Sequence, residues 1–226
     1  MSPPTPPVAK KVPKRIEQLA RVRFDDYAWM KDDNWQKVMR DPSVLRADIR
    51  THLEAENAYR EAMLASTKDL QAKIYAEMKG RIKEDETSVP APDSAWEYYV
   101  RYEIGAQHPV YARRPRGKAA AAEQVLLDAD AQAKGKAYYE VGHADHSPDQ
   151  ALFTWAEDDQ GSEYFTIKTK DLTSGTLLPG AMESAYGDFT FSPDSRWLFW
   201  IWRDQNARPS KVFRRPARGG EDVLVY

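Results

Sequence analysis

The tripeptide Ser-Pro-Asp occurs twice in this chain, at residues 147–149 and 192–194, and the two copies lie 45 residues apart. Each copy precedes a run of large apolar residues that contains Leu-Phe, at 152–156 and at 197–202. Proline fixes φ, and the Ser and Asp side chains can bond their own backbone, so the tripeptide favours a tight turn before a strand. Strands that recur every ~40–50 residues are typical of the blades of a β-propeller.

The aromatic and β-branched runs beyond Pro90 group into three similar units of short strands. The predicted strands are 96–102, 109–114 and 123–128 in the first unit; 152–156, 164–168 and a third beginning at 176–178 in the second; and 197–202, 211–215 and 222–226 in the third. We therefore expect residues 90–226 to form a mostly antiparallel partial propeller, blades 1–3, with the last blade incomplete. No helix longer than two turns is expected beyond residue 95.

The chain before Pro90 follows another pattern. Residues 1–20 begin with a proline-rich run that predicts a flexible, extended tail. Residues 21–89 are predicted as a helical N-terminal segment, in which 23–33 form an ordered loop with a short helical turn. Between residues 42 and 79, apolar side chains recur mostly at three- or four-residue intervals, which indicates amphipathic helix. The fold class is therefore mixed.

Capping signals set the expected bounds of this helical region. Asp41 and Pro42 suit the N-cap and the first helical position. Residues 66–69, Ser-Thr-Lys-Asp, have the form of a capping box that would divide the region into two helices. Gly80 is expected to end it in the left-handed conformation. We interpret the apolar stripe as a core face and assign it no cofactor.

Composition excludes several classes of function. The 33 basic and 35 acidic residues nearly balance, so nothing indicates a nucleic-acid partner. The chain has no cysteine, which excludes disulfides and thiolate chemistry. No apolar run approaches the ~20 residues of a membrane helix, and the N-terminus has no apolar signal region. We expect a cytoplasmic protein without a membrane or nucleic-acid partner.

Motifs for catalysis are missing from the 226 residues. There is no Gly-x-Ser-x-Gly elbow for a serine nucleophile, and Ser162 and Ser174 are interpreted as hairpin residues. No Walker loop, dinucleotide fingerprint or His-Glu-x-x-His occurs. We therefore assign no catalytic, cofactor-binding or metal-binding residue and no cofactor.

Three polar groups have residue types that could form sites, and we interpret each as ordinary surface. His143 and His146 could approach a metal with Asp145 or Asp149, but a solvated turn is favoured because no helix brings them together. Residues 157–159, Glu-Asp-Asp, are predicted as a polar turn. The pairs Arg113-Arg114 and Arg214-Arg215 each put one Arg on either face of a strand, which favours solvation over phosphate binding. His52 and His108 belong to no cluster.

Segments on both sides of Pro90 carry family motifs. The most specific is residues 77–90, Glu-Met-Lys-Gly-Arg-Ile-Lys-Glu-Asp-Glu-Thr-Ser-Val-Pro. Residues 25–33 are similar to an Asp-x-Tyr-x-Trp-Leu-x-Asp stretch, and residues 53–59 to the helix after it. Shorter matches lie at 98–103, 125–128, 161–163 and 208–212. Together they resemble the N-terminal region of oligopeptidase B (protease II), in the prolyl-oligopeptidase family of serine peptidases.

The resemblance implies a cytoplasmic serine peptidase that cleaves short peptides after Lys or Arg. It also implies a seven-bladed propeller that restricts access to an α/β-hydrolase domain, against which the helical N-terminal segment packs. The triad and the acidic residues that select a basic side chain would lie far beyond Tyr226. The chain alone is therefore expected to be inactive, with the hydrolase domain and remaining blades as its intramolecular partners. The alternative is a propeller-like module that binds proteins without catalysis.

A partial propeller leaves apolar faces without a neighbour. We expect either Trp197, Phe199 and Ile201 or the opposite side of that strand to face water or another chain, and the isolated chain to self-associate.

Overall fold

The computed structural model describes residues 4–118 and 120–226. The chain divides into two units, Met1–Ile82 and Lys83–Tyr226. The division falls seven residues before the predicted boundary at Pro90, because residues 86–88 already bond to the strand at 100–102. Among the described residues, no helix is long and apolar enough to cross a membrane.

A β-hairpin begins the first unit. Strands β1 (Lys14–Gln18) and β2 (Arg21–Asp25) pair antiparallel across a two-residue turn at Leu19 and Ala20, whose φ angles are 53° and 57°. Positive φ at both positions matches the twist of a tight hairpin. The prediction of a flexible tail over residues 1–20 is therefore wrong for residues 14–18, where the ladder satisfies backbone groups that a tail would leave to water.

Helix fills most of residues 42–79, as predicted. After α1 (Trp35–Val38), Asp41 caps a 3-10 turn, Pro42–Val44, by accepting the N–H of Ser43 at 2.9 Å. The long helices are α2 (Ala47–Leu64) and α3 (Lys68–Lys79), separated by a 3-10 turn at residues 65–67.

Two details of the helix ends differ from expectation. The predicted division of the helical region is found at residues 65–67, but the expected capping box is not, because the N-cap residue of α3 is Thr67 and its hydroxyl donates to the carbonyl of Leu64 at 2.8 Å. Gly80 has φ −65°, in the right-handed region, so the expected left-handed stop is wrong. Its N–H still bonds the carbonyl of Ala76 at 2.9 Å, and the chain leaves the helix through a further turn.

The apolar side chains of α2 and α3 are largely exposed. Ile49 is the one buried residue of α2, and α3 has none. The exposed apolar residues on the two helices are Leu53, Met63, Leu64, Leu70, Ile74, Tyr75 and Met78. The predicted core face therefore has no partner within this unit.

The second unit contains a four-stranded and a seven-stranded antiparallel sheet, and strands follow chain order in both. The first sheet comprises β3 (Ala91–Asp93), β4 (Trp96–Arg101), β5 (Val110–Pro115) and β6 (Gln124–Asp128), followed by the short helix α4 (Ala129–Ala133). The second comprises β7 (Glu140–His146), β8 (Leu152–Asp158), β9 (Phe165–Asp171), β10 (Met182–Phe191), β11 (Trp197–Arg203), β12 (Pro209–Pro216) and β13 (Val223–Leu224). Such sheets are consistent with part of a β-propeller.

Strand β10 belongs to two groups of four strands. Its beginning pairs with β9, Met182 opposite Ile167, and its end pairs with β11, Phe189 opposite Trp200. The register shifts between Ala185 and Phe189, where Gly187 has φ 110°. A Cβ at Gly187 would lie 3.0 Å from the ring of Phe165, so glycine suits both the bend and the close approach.

Two apolar clusters hold the strands together. The larger lies within the seven-stranded sheet, around Ile167, Leu198 and Trp200. The smaller joins the two sheets, because Leu126 and Leu127 of β6 pack with Phe153 and Trp155 of β8.

Both Ser-Pro-Asp tripeptides form the turn that was predicted. The hydroxyl of Ser147 donates to the Asp149 carboxylate at 2.5 Å and accepts the N–H of Leu152 at 2.9 Å. Ser192 bonds Asp194 at 2.6 Å and Trp197 N–H at 2.9 Å in the same way. The repeat seen in the sequence is thus a repeat of hydrogen bonds.

Some predicted elements differ. Residues 140–146 and 182–191 are strands that the sequence did not indicate, whereas Thr176–Leu178, predicted to begin a strand, has only an isolated bridge at Leu177. Neither side of β11 is exposed. Leu198 and Trp200 are buried, and the rings of Trp197 and Trp202 are covered by cationic side chains of β12 at 4.5 and 5.0 Å.

Candidate functional site

Residues predicted as a polar turn lie at the centre of a buried network. Glu157, only 5% exposed, is the sixth residue of β8, whose seven residues are all buried. Its carboxylate accepts bonds from Lys168 Nζ at 2.6 Å, Trp155 Nε1 at 2.7 Å and the hydroxyl of Tyr139 at 3.0 Å. Burial opposes ionisation, but the bonds from Lys168 and Trp155 outweigh it and lower the pKa of Glu157. The expectation of a polar turn is wrong for Glu157, which lies in β8.

The next carboxylate has a structural role. Asp158 is 2% exposed and accepts the backbone N–H groups of Gln160, Gly161 and Glu163 at 2.7–3.1 Å. Only Asp159 of the three acidic residues meets the expectation of a surface group, and it pairs with Lys136 at 3.3 Å.

The histidines do not converge on a metal. Within residues 4–118 and 120–226, no three His, Cys, Asp or Glu side chains are arranged to hold a metal ion. His143 and His146 lie on β7, not on a turn, and His143 packs on the ring of Phe189 at 4.7 Å. His52 lies 3.6 Å from Glu56, and His108 stands edge-on to Tyr139.

His146 instead connects the two sheets. Its Nε2 lies 2.8 Å from the Asp93 carboxylate of β3, and its ring stacks on Tyr98 of β4 at 3.7 Å. Gln150 donates to Asp93 at 3.0 Å. The bonds from His146 and Gln150 hold the pKa of Asp93 below its usual value.

In each arginine pair one side chain is buried and the other is partly exposed, because neighbouring residues of a strand point to opposite faces. Arg113 is buried, with its guanidinium on the Trp96 ring at 3.9 Å and a 2.7 Å bond to the carbonyl of Gln150. Arg215 is buried against Asp222. The prediction of solvation is therefore wrong for these two, because one member of each pair faces the interior.

A cleft of about 310 Å³ opens between β7 and β10. Three carboxylates lie around it, from Glu140, Glu163 and Asp188, and all three residues are exposed. Arg203, 7% exposed, is also among the residues that line it. These four residues share no local sequence signal, since they are scattered over 64 positions and only the sheet brings them together.

The polar groups of the cleft differ in how far they are satisfied. Arg203 Nη1 donates to the carbonyl of Glu163 and lies 3.2 Å from its carboxylate. Tyr138 donates to Glu140, and this bond raises the pKa of Tyr138 to about 12. Among the described residues, Arg203 Nε is the one buried side-chain nitrogen or oxygen without a hydrogen-bond partner. The lining of the cleft therefore carries three carboxylates and one guanidinium, that of Arg203, whose Nε makes no hydrogen bond to the described residues.

The fold and its motifs define the N-terminal part of a propeller peptidase. Residues 6–226 match the family model described as "Prolyl oligopeptidase, N-terminal beta-propeller domain". The chain belongs to the prolyl oligopeptidase family.

Two curated relatives cover nearly all of the chain. Dipeptidyl aminopeptidase BI of Pseudoxanthomonas mexicana is 35% identical over 98% of the chain, and Protease 2 of Moraxella lacunata is 30% identical over 96%. The chain spans about a third of these relatives, 32% and 30% of their lengths.

Solved structures agree with this assignment. Oligopeptidase B from Leishmania major superposes with a TM-score of 0.85 at 29% identity, over 98% of this chain and 32% of that one. Oligopeptidase B from Trypanosoma brucei gives 0.83 at 25% identity over the same shares.

Proposed function

We propose that this chain is the N-terminal region of a serine oligopeptidase that cleaves short peptides after Lys or Arg. The observation that carries the proposal is the agreement between the motif at residues 77–90 and the 0.85 TM-score with an oligopeptidase B. A cytoplasmic location accompanies this proposal.

In this proposal residues 90–226 supply three blades. The four-stranded sheet is the first, and the two groups that share β10 are the second and third. The third is incomplete, because β13 has only two residues. Residues 1–20 and 21–89 precede the blades as an N-terminal stretch and a helical segment.

The chain's intramolecular partners are then the hydrolase domain and the remaining blades. The exposed apolar residues of α2 and α3 suit a hydrolase partner, which would remove them from water. Val223, Leu224 and Val225, all about half exposed, suit a further blade beside β13. The closed propeller would restrict which peptides reach the active site.

A second peptidase activity is favoured by one observation. The relative with 35% identity is named dipeptidyl aminopeptidase BI. By this name, the second candidate activity is the release of dipeptides from the free N-terminus of a peptide, instead of cleavage at an internal bond. The third candidate function is a module that binds proteins without catalysis. It predicts no hydrolysis by the complete product or by the 226-residue chain.

The test is to express the complete reading frame that contains codons 1–226, beside the 226-residue chain alone. We expect the complete product to release a fluorophore from an Arg- or Lys-ended short peptide, and the chain alone to match buffer, since it has no Gly-x-Ser-x-Gly elbow. N-acetylated substrates distinguish an endopeptidase from an aminopeptidase, which needs a free amine. A complete product without turnover would overturn the proposal, as would saturable turnover by the chain alone.

A further inference from the structure

We propose that His146, as the doubly protonated imidazolium, holds the first sheet against the second and releases it as the pH rises from about 5.5 to about 8. The inference goes beyond the proposed function, because it concerns the 226-residue chain and needs no peptidase activity. The first sheet is β3–β6, and the second begins at the edge strand β7. The two sheets meet where His146 of β7 contacts β3 and β4.

Each ring nitrogen of His146 lies beside a carboxylate. Its Nε2 is 2.8 Å from Asp93 on β3, and its Nδ1 is 3.3 Å from Asp145, the preceding residue of β7. A neutral imidazole has a single N–H and can donate to only one of the two carboxylates, whereas the imidazolium donates from both nitrogens. Such charge-assisted bonds are stronger than neutral ones, so the geometry favours the imidazolium.

The charged groups around the imidazole act in both directions. The carboxylates of Asp93 and Asp145 attract a cation, and Asp93 stays ionised because its pKa is held below the usual value. The guanidinium of Arg113 repels a second cation, and it donates to the Tyr98 hydroxyl at 3.1 Å. The Tyr98 ring stacks on the imidazole at 3.7 Å, and burial raises the pKa of this tyrosine, so it stays neutral below pH ~8. Because both carboxylates contact the imidazole directly, attraction outweighs the repulsion by Arg113.

The 45-residue repeat provides an internal comparison. His146 directly precedes the first Ser-Pro-Asp turn, and Phe191 directly precedes the second. Their partners in the ladder are equivalent as well, since His146 lies opposite Phe153 and Phe191 lies opposite Leu198. Phe191 is buried in the apolar cluster of the seven-stranded sheet, where its contacts do not depend on pH. The same position of the repeat is therefore titratable in one copy and apolar in the other.

The packing beside His146 leaves room for the two sheets to separate. A groove of about 310 Å³ lies between them, lined on one side by Ala112 and Leu126 and on the other by His146 and Phe153. A neutral His146 gives up one of its two carboxylate bonds. The sheets should then part more often along this groove, which is a local opening that exposes its apolar walls without unfolding the rest of the chain.

The experiment detects this opening through a single introduced thiol, because the chain has no cysteine. Ala112→Cys places the thiol in the wall of the groove, where Ala112 is 1% exposed. Ala185→Cys is the matched control, since Ala185 is 0% exposed in the apolar cluster of the seven-stranded sheet. A maleimide modifies each thiol at several pH values between about 5.5 and about 8. Division by the rate for the same variant in urea at the same pH removes the ionisation of the thiol itself and gives its protection.

We expect the protection of Ala112→Cys to fall about two- to fivefold over this pH range, the size of one partly exposed ion pair, and that of Ala185→Cys to stay constant. Adding His146→Phe, which copies Phe191, should make the protection of Ala112→Cys independent of pH. Asp93→Asn should remove at least half of the pH dependence. The nitrogen chemical shifts of His146 should show both ring nitrogens protonated at the acid end of the range.

Equal protection of Ala112→Cys at both ends of the pH range would overturn the proposal, and so would the same fall in the His146→Phe background. A neutral His146 ring at pH ~5.5 would also overturn it. Parallel falls for Ala112→Cys and Ala185→Cys would indicate global unfolding instead of separation of the sheets, and would count against it equally. If His146→Phe does not fold, Asp93→Asn at a half-exposed position decides the question. Because no hydrolysis is measured, failure here is separate from failure of the proposed peptidase activity.

Discussion

The backbone N–H of Asp149 donates a hydrogen bond of 2.9 Å to the hydroxyl of Ser195. Asp149 belongs to the first Ser-Pro-Asp turn, and Ser195 directly follows the second. The bond therefore joins equivalent turns of two neighbouring groups of strands. The two copies of the 45-residue repeat are therefore in direct contact through their turns.

The two serines of these turns should differ in their contribution to stability. Ser147 is fully buried, so Ser147→Ala leaves the N–H of Leu152 without a partner and should lower the free energy of unfolding by about 1–3 kcal/mol. Ser192→Ala removes the same bonds at a partly exposed position, where water can replace the hydroxyl, and should lower it by less. Urea denaturation of the two variants measures the difference. Equal losses would contradict a role for burial.

Removing the charge of Glu157 should destabilise the second unit strongly. Glu157→Gln leaves Lys168 without its buried partner and should lower the free energy of unfolding by about 3 kcal/mol. Asp159→Asn is the matched control, since its partly exposed pair with Lys136 should contribute less than about 1 kcal/mol. Thermal and urea unfolding give both values. A loss no larger than that of the control would show that the network is not a source of stability.

The same carboxylate should make stability depend on acid pH. Its pKa is lowered in the folded chain, so its contribution is present above the unfolded value of about 4.5 and is lost as pH falls through the folded pKa. We expect the free energy of unfolding of the wild type to fall more steeply below pH ~5 than that of Glu157→Gln. Parallel curves for the two proteins between pH 6 and pH 3 would refute this assignment.

The isolated chain should self-associate or bind hydrophobic dyes. Seven apolar residues of α2 and α3 and the end of the chain from Val223 are exposed, and burying each large side chain would gain roughly 1.5–3 kcal/mol. Light scattering at several concentrations measures the mass, and dye fluorescence reports exposed apolar surface. A monomer at all concentrations that binds no dye and melts cooperatively would contradict this expectation.

Local patterns predicted three of the four strands of the first sheet to within one residue, and they missed β3 (Ala91–Asp93). Residues 96–102 were predicted and β4 spans Trp96–Arg101, because alternation of aromatic and polar residues matches a half-buried strand. The long helices were also predictable from a local pattern, because their apolar residues recur at intervals of three or four residues. The turn chemistry of Ser147 and Asp149 was also evident, since those bonds are local.

Prediction from the sequence was wrong or silent where contacts between residues distant in sequence determine the structure. β7 contains Gly142 and two histidines, so it has the composition of a turn, and only pairing with β8 makes it a strand. Glu157 has polar neighbours in sequence but apolar and cationic ones in space. The cleft around Arg203 had no local signal, because its members come from four separate segments.

The double membership of β10 limits how such a chain can change in length. One added residue between Ala185 and Phe189 would turn the side chains of one strand group to the opposite face and leave the other group in place. Lengthening is therefore tolerated in the turns or by a whole 45-residue period, but not at the bend beside Gly187. A duplication that lengthens the chain would have to copy a whole group of strands. The copy would have to be joined through a strand that, like β10, pairs with both neighbouring groups.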